Sequence, residues 1–195
     1  FSVVGGGGRG ACSISRAWDV QVEVGEEIWQ PVPLPVRPAS DPDLIDKAAQ
    51  MLRAASSPLI MLGGGAAGAA SDLSAIAEAT GAIVIASTAG KGIVPDDHPQ
   101  SLSASTVRPE VQRLLPEADV ILAVGTELSE TDSFIERLDL QGDLIRVDID
   151  PRKISDFYPA TLGIVADAGP AMTALRAALG DHAGDRTAAE TRVAG

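Results

Sequence analysis

Acidic residues are concentrated in two short stretches, and each stretch follows an apolar run. The first, GTELSETD at 125–132, places Glu127, Glu130 and Asp132 within six residues. These carboxylates could bind a metal ion or a cationic group, but they would repel a diphosphate, which needs N–H donors and Arg or Lys. A solvated helix start, where acidic residues complement the helix dipole, is the alternative.

The second acidic stretch is Asp148–Ile149–Asp150–Pro151, at the end of another apolar run. Asp148 and Asp150 lie on the same side of a strand end, because alternate residues of a strand share a face. They could bind a ribose or a metal ion. Capping of the following turn by Asp150, before Pro151, is the alternative.

A glycine-rich turn at 63–68 has the form G-x-G-x-x-G and separates a predicted strand from a predicted helix. Glycines at such a turn let a pyrophosphate approach N–H groups at a helix N-terminus. A classical NAD site also needs a carboxylate at the end of the second strand, but that strand ends in Ala86–Ser87–Thr88. The turn therefore fits a nucleotide bound in another way, or a tight connection without a ligand.

The remaining reactive residue types form no catalytic set. Lys91 lies in a Gly- and Pro-rich loop, where it could face a phosphate or be solvated. His98 lies in the same loop, His182 lies near the C-terminus, and Cys12 lies in a glycine-rich stretch with no base nearby. The sequence has no G-x-S-x-G turn, no phosphate-binding lysine loop and no Cys/His metal spacing, so it predicts neither catalytic residues nor a metal site.

Short apolar runs alternate with segments of helical periodicity. Strands are predicted at 59–62, 82–86, 119–124, 144–149 and 162–166, with helices starting near Asp41, Ser71, Glu110, Phe134 and Pro170. Runs that are apolar on both faces are typical of parallel sheets covered by helices. The pattern predicts an α/β fold: a doubly wound, Rossmann-like parallel sheet of five or six strands with helices on both faces. In such folds ligands bind beyond the carboxyl ends of the strands.

The chain divides into three parts. Residues 1–38 contain a glycine-rich arm, a predicted half-buried strand at 18–24 and a Pro-rich linker, interpreted as the remnant of a preceding domain. Residues 39–180 form the Rossmann-like domain. Residues 181–195 have little to bury and are expected to be a disordered tail. Because the chain begins with Phe1, we expect it to be a piece of something longer.

Composition excludes several classes of partner. The net charge is −12, and no basic stripe is present, which disfavours nucleic acids and anionic membranes. No apolar run is long enough to cross a bilayer. A single cysteine allows no internal disulfide and favours the cytoplasm.

Five segments, in order along 40–180, resemble the central domain of thiamine-diphosphate-dependent enzymes, the family of acetolactate synthase, benzoylformate decarboxylase and other 2-oxo acid decarboxylases. The segments are PLIMLGGG at 58–65, GKGIVPDDHP at 90–99, ADVILAVG at 118–125, VDIDP at 147–151 and VADA at 165–168. The combination is fairly specific, although no single segment is. The resemblance implies a scaffold and subunit-contact domain in a homo-oligomer.

The resemblance also implies which parts are missing from this chain. In the family, thiamine diphosphate and Mg²⁺ bind between an N-terminal domain, which supplies a glutamate, and a C-terminal domain with a G-D-G…N motif. No G-D-G occurs here. The chain alone is therefore expected to be inactive, and the adjoining domains of a full-length parent are expected to decarboxylate or carboligate a 2-oxo acid.

Some members bind FAD or ADP in the central domain. The corresponding positions here would be Gly63, Gly64, Gly65, Ser87, Thr88, Gly125, Thr126, Asp148, Asp150 and Asp167. Acetolactate synthases follow the position of Gly125 with an arginine-rich segment that contacts FAD, whereas this chain has TELSETD. FAD binding is therefore not expected. The loop is more similar to that of 2-oxo acid decarboxylases, including the guanidino-oxopentanoate type.

Two further interpretations remain open from the sequence. One is a free-standing module that binds FAD, ADP or NAD, with a transhydrogenase-like or electron-transfer-flavoprotein-like fold. The other is a structural relic without a ligand. Bound nucleotide in the purified protein would favour the module.

Overall fold

The computed structural model describes Asp19, Val22, Val24, Gln30, Pro33 and residues 36–194. Six α-helices and five strands occur in this part of the chain. The helices are α1 (Pro42–Ala54), α2 (Ala70–Thr80), α3 (Pro109–Leu114), α4 (Glu130–Ser133), α5 (Ala168–Leu179) and α6 (Arg186–Ala194). The strands are β1 (Pro58–Leu62), β2 (Ile83–Ala86), β3 (Val120–Val124), β4 (Asp143–Asp148) and β5 (Leu162–Val165).

The five strands form one parallel sheet in the order β2-β1-β3-β4-β5. The chain starts near the middle at β1, runs outward to β2, then returns to β3 and continues to the opposite edge. This is the predicted doubly wound α/β fold, with five strands. Every residue of β1, β2 and β3 is buried, as expected for strands covered on both faces.

The two faces of the sheet are covered unequally. On the first face, the long helices α1, α2 and α5 pack over Ile60, Leu122 and Ile145. On the second face, which contains Ile121, the cover consists of the short helix α3, irregular chain around Leu138 and Tyr158, and α6. The carboxyl ends of all five strands lie at one edge of the sheet, here called the carboxyl edge.

Local signals in the sequence fix several helix ends. The Asp41 carboxylate accepts a hydrogen bond from the Asp43 N–H at 2.9 Å and caps α1, as predicted. Gly81 ends α2 with φ of 71°, in the left-handed region that glycine adopts without strain. Two helices begin slightly before their predicted starts. α2 begins at Ala70, directly after a 3₁₀ segment, and is not capped by Ser71. α5 begins at Ala168, capped by Asp167, rather than at Pro170.

The predicted helix at 134–138 is wrong. The helical turn is α4, one turn earlier in the chain, and it ends at Phe134 with φ of 56°. Residues after Phe134 are irregular because the Leu138 N–H is satisfied by the Tyr158 hydroxyl at 2.7 Å rather than by a helical carbonyl.

The structure also differs from the expectation of a disordered tail. Residues 186–194 form α6, which packs Ala189 and Val193 against the second face of the sheet. Arg192 donates to the Ser57 hydroxyl at 3.0 Å and pairs with Glu117. The segment is ordered because a few small apolar contacts and one arginine suffice to hold a short helix against the sheet.

The predicted strand at 18–24 lies mostly outside the described residues. Where the backbone is described, the Val22 N–H donates to the Asp19 carbonyl at 3.3 Å, which is a turn. Val22 and Val24, the two described residues of its apolar side, are solvent-exposed. Among the described residues, no helix is long and apolar enough to cross a membrane.

Candidate functional site

The sequence-predicted site residues all lie at the carboxyl edge, because each ends or follows one of the parallel strands. The groups at the ends of β1, β2, β3, β4 and β5 are, in that order, Gly63, Gly64 and Gly65; Ser87 and Thr88; Gly125 and Thr126; Asp148, the last residue of β4, and Asp150; and Asp167. The expectation that these residues share one edge agrees with the observed fold. What occupies the space between them determines whether a ligand could bind.

The turns after β1 and β3 are in direct backbone contact. The Gly65 N–H donates to the Gly125 carbonyl at 3.0 Å, and the Gly63 N–H donates to the Val124 carbonyl at 3.0 Å. A Cβ at Gly63 would lie 2.1 Å from the Gly125 oxygen, and one at Gly65 would lie 2.9 Å from the Gly125 Cα. The glycines are therefore required for close packing of the two loops.

The turn after β2 is held by the protein itself in the same way. The Ser87 N–H donates to the Leu62 carbonyl at 2.7 Å, and the Ser87 hydroxyl accepts from the Gly90 N–H at 3.2 Å. The Thr88 N–H donates to the Asp132 carboxylate at 3.0 Å. The Asp132 carboxylate thus accepts the hydrogen bond of the Thr88 N–H, which a ligand oxygen could otherwise accept.

The three acids of the loop after β3 point to different partners. Glu127 pairs with Lys153 at 3.2 Å, Asp132 binds Thr88, and Glu130 lies in the first turn of α4. Among the described residues, no three His, Cys, Asp or Glu side chains come close enough to hold a metal ion. The acids therefore stabilise loops rather than form a common binding centre.

The aspartates after β4 and β5 are also engaged within the chain. Asp150 is buried, caps the turn that follows it and binds the Arg152 guanidinium at 2.7 Å, which lowers the pKa of Asp150. Asp167 caps α5 and pairs with Arg37 at 2.7 Å, and hydrogen bonding to Arg37 lowers its pKa.

Asp148 differs from its neighbours because its environment disfavours the charged form. Its carboxylate accepts from the Asp150 N–H at 2.9 Å. Burial nevertheless raises the pKa of Asp148, since the hydrogen bond and the charge of Arg146 do not fully offset the loss of water. Asp148 is the one site residue whose ionised form is costly.

Arg146 is the organising side chain that the sequence analysis missed. It is fully buried in β4, where it donates to the Thr126 carbonyl at 3.0 Å and the Tyr158 carbonyl at 3.1 Å and pairs with Asp156 at 2.5 Å. These bonds join the loop after β3 to the loop after β4. A signal was present in the sequence, because an arginine inside an apolar strand must find polar partners.

One cavity at the carboxyl edge is much smaller than a ligand site. A cavity of about 10 Å³ lies between residues such as Leu62, Ser87 and Thr126, whereas small-molecule sites are about 300–1,000 Å³. A second cavity, of about 180 Å³, lies at the opposite edge beside Ser57 and Arg192. Neither cavity, nor the separated carboxylates, fits thiamine diphosphate with a metal ion.

The sequence matches a known family over the whole sheet. The family is described as "Thiamine pyrophosphate enzyme, central domain", and its match covers residues 45–175. This chain belongs to that family. The family model begins in α1 and ends in α5, so the central domain corresponds to the five-stranded sheet and the helices of its first face.

Individual relatives of this central domain have different named activities. A probable 2-ketoarginine decarboxylase of Pseudomonas aeruginosa is 45% identical over 147 residues, which is 75% of this chain and 26% of that protein. A sulfoacetaldehyde acetyltransferase of Rhodobacter capsulatus is 36% identical over 173 residues, 84% of this chain and 29% of that protein. The central domain therefore spans little more than a quarter of these relatives.

The fold is shared with solved structures of the same family. A protein of Mycobacterium smegmatis assigned to the thiamin diphosphate-dependent enzymes matches with a TM-score of 0.64 at 27% identity, covering 84% of this chain and 32% of that one. The predicted family and fold are therefore confirmed. The matches give no support to a free-standing nucleotide-binding module.

Proposed function

We propose that this central domain belongs to a longer thiamine-diphosphate-dependent enzyme that decarboxylates a 2-oxo acid, and that the domain serves there as a scaffold. The sequence relatives span three to four times the aligned length, which leaves room for catalytic domains outside the aligned region. In this proposal the adjoining domains supply the cofactor and Mg²⁺ sites, the enzyme is a homo-oligomer, and it is located in the cytoplasm.

We propose further that the nucleotide cleft of the family is empty in this domain. Gly63, Gly65 and Gly125 pack on one another, and Asp132 occupies the Thr88 N–H. A nucleotide could enter only if these loops separated, which would break backbone hydrogen bonds at the sheet edge. The candidate residues at the strand ends then have a structural role, and FAD is not a cofactor.

For the substrate, we propose a 2-oxo acid with a cationic guanidino group. The observation that carries this proposal is the 45% identity to the 2-ketoarginine decarboxylase, against 36% to the acetyltransferase, in a domain that lacks the catalytic motifs. A scaffold domain evolves with the domains it packs against, so its similarity follows the whole enzyme.

The test is an assay of the full-length protein that contains this chain, supplied with thiamine diphosphate and Mg²⁺. CO₂ release from 5-guanidino-2-oxopentanoate should exceed release from pyruvate at least tenfold, and acetolactate should not form. Comparable turnover of pyruvate with acetolactate formation would contradict the proposal. The 195-residue chain alone is the control and should release no CO₂.

A further inference from the structure

The chain enters the domain through a contact with one aspartate at the carboxyl edge. The Asp167 N–H donates to the Pro38 carbonyl at 3.0 Å, and the Arg37 guanidinium donates to the Asp167 carboxylate at 2.7 Å. Asp167 follows β5, whereas Arg37 and Pro38 come before α1. Two successive residues of the entry segment are therefore bound by one residue, which lies 130 positions after Arg37. This contact is here called the linker latch.

The linker latch lies on the outer side of the sheet. The Ala166 N–H donates towards the sheet, to the Asp148 carbonyl of β4 at 3.0 Å, and the next N–H, that of Asp167, donates to Pro38. Because β5 is the last strand in the sheet order, the entry segment lies along the outer side of β5 at its carboxyl end. The linker thus reaches the domain at the edge where the candidate site residues lie.

The two carboxylate oxygens of Asp167 have different partners. Oδ1 accepts from the Gly169 N–H at 3.1 Å and caps α5, whereas Oδ2 accepts from Arg37. The Asp167 side chain is 19% exposed and that of Arg37 is 60% exposed, so the aspartate belongs to the domain surface and the arginine reaches it from the linker. Capping of α5 uses one oxygen, so the contact with the linker can be removed without removing the cap.

The helices on either side of the linker latch are also joined at their far ends. α1 and α5 both run away from the carboxyl edge, and the Arg53 guanidinium in the last turn of α1 donates to the Ala178 carbonyl near the end of α5 at 2.6 Å. At the near end, Asp41 caps α1 shortly after Pro38. The place at which the linker meets Asp167 is therefore set by the packing of two rigid helices.

The composition of the linker makes this contact directional. Prolines occupy positions 31, 33, 35 and 38, and a Pro-rich stretch favours an extended, semi-rigid chain. Arg37 itself precedes a proline, which restricts its backbone to extended conformations. A stiff linker that is bound at Arg37 and Pro38 leaves the domain in one direction, whereas a flexible linker bound at the same point would not.

We propose that Asp167 is a positioning residue for the domain that precedes this one. Through the linker latch it fixes the point and the direction from which the preceding domain starts, relative to the carboxyl edge. The inference rests on the proposal that the chain is part of a longer enzyme, and it gives Asp167 a role other than binding a nucleotide. Its test uses the 195-residue chain, so its outcome is separate from that of the decarboxylation assay.

Asp167→Asn separates the linker latch from the helix cap. Asparagine caps helices as well as aspartate does, so the bond to Gly169 is kept while the charge that attracts Arg37 is lost. Elastase cuts after valine, and Val36 is solvent-exposed, but the protease must also bind the residues that follow the cut bond. The fragment that begins at Arg37 should therefore form about three times faster in the variant, as expected for loss of one exposed ion pair when cleavage follows the open fraction of the linker.

Hydrogen exchange gives a second measurement, and Asp72→Asn is the matched control. Arg37→Gln removes the ion pair from the linker side and should speed exchange of the Asp167 N–H by a similar factor, because the Pro38 carbonyl is held less firmly. Asp72 pairs with Arg176 of α5 at 3.1 Å, and that arginine is 56% exposed, so its loss removes a comparable ion pair away from the linker. Asp72→Asn should keep both wild-type rates, and denaturant unfolding should show similar stability for Asp72→Asn and Asp167→Asn.

Two results would overturn the proposal. The first is wild-type cleavage after Val36 in Asp167→Asn together with wild-type exchange of the Asp167 N–H in Arg37→Gln, which would mean that the ion pair does not hold the linker. The second is an equal increase of cleavage in Asp72→Asn, which would mean that the effect comes from a general loosening around α5 and that Asp167 has no particular role in positioning the linker.

Discussion

At the residue scale, two charged side chains of β4, two positions apart, differ in how well the protein stabilises their charge. Arg146 is buried with its donors satisfied by the Thr126 and Tyr158 carbonyls and by Asp156. Asp148 is partly buried, and its ionised form is disfavoured. The first side chain should therefore stabilise the fold through its bonds, whereas the charge of the second should lower stability.

We predict that Arg146→Met lowers the free energy of unfolding by about 3 kcal/mol, because it leaves two buried carbonyls and Asp156 without their donor. Denaturant unfolding followed by circular dichroism measures the change. The control is Arg113→Met, since Arg113 pairs with Glu110 at 3.5 Å with both side chains solvent-exposed, and it should cost less than about 0.5 kcal/mol. Equal effects of the two substitutions would contradict the role assigned to Arg146.

We predict that Asp148→Asn stabilises the domain at neutral pH. Burial raises the folded-state pKa of Asp148 above the ordinary 3.8, so the folded chain binds more protons than the unfolded chain just above that value. Its stability therefore falls as the pH rises through this window and stays lower above it. Asparagine removes that loss of stability, because it carries no charge, and it keeps an oxygen that accepts the hydrogen bond from the Asp150 N–H.

Denaturant unfolding at pH 7 and at pH 3 measures this effect, and the gain from Asp148→Asn should vanish at the lower pH. Asp150→Asn should behave oppositely, since its hydrogen bonds with Arg152 lower the pKa of Asp150. That variant should lose stability at pH 7, and the loss should shrink as the pH falls below 3.8. A destabilised Asp148→Asn at pH 7 would contradict the assignment.

At the element scale, the position of the loops depends on how closely β1 and β3 approach each other. The two strands pair residue by residue from Pro58–Val120 to Leu62–Val124, so their following turns meet at the carboxyl edge. Only residues without a Cβ allow the observed contact between Gly63 and the Gly125 carbonyl. A motif that is typical of phosphate binding thus serves packing between two loops.

We predict that Gly63→Ala lowers the free energy of unfolding by at least about 2 kcal/mol, because its Cβ would overlap the Gly125 oxygen. Gly68→Ala is the matched control within the same turn, since no atom lies within 4 Å of its Cβ, and it should change stability by less than about 1 kcal/mol. Thermal and denaturant unfolding of both variants measure the difference. A tolerated Gly63→Ala would mean that the loops separate easily and that the cleft can open.

At the scale of the whole molecule, the described loops at the carboxyl edge pack closely against one another. The cavity there is about 10 Å³, and the strand-end N–H groups described above are bonded within the chain. A scaffold role agrees with these features.

We predict that titration of the chain with FAD, ADP or NAD shows no dissociation constant below roughly 1 mM, because binding would first require the packed loops to separate. Isothermal titration calorimetry measures this directly. Thiamine diphosphate with Mg²⁺ should leave the melting temperature unchanged, since no described residues fit them. A micromolar dissociation constant for any of the nucleotides would contradict the closed cleft.

Much of the fold could be predicted from the sequence because the signals are local. Apolar runs of four to six residues gave all five strands of the sheet, and Asp41 and Gly81 marked helix ends by capping and by a left-handed backbone. Errors occurred where a distant contact replaced a local one. Tyr158 satisfies the Leu138 N–H and prevents a helix at 134–138, and Ser57 and Glu117 hold α6 in a segment expected to be disordered.

The sequence by itself determined the parallel α/β fold, the family and the edge of the sheet at which the glycine-rich and acidic loops lie. It could not determine that the turns after β1 and β3 touch, because Gly63 and Gly125 are 62 positions apart and nothing local links them. Only the tertiary structure decided this, since the pairing of β1 with β3 brings the two glycine turns into van der Waals contact.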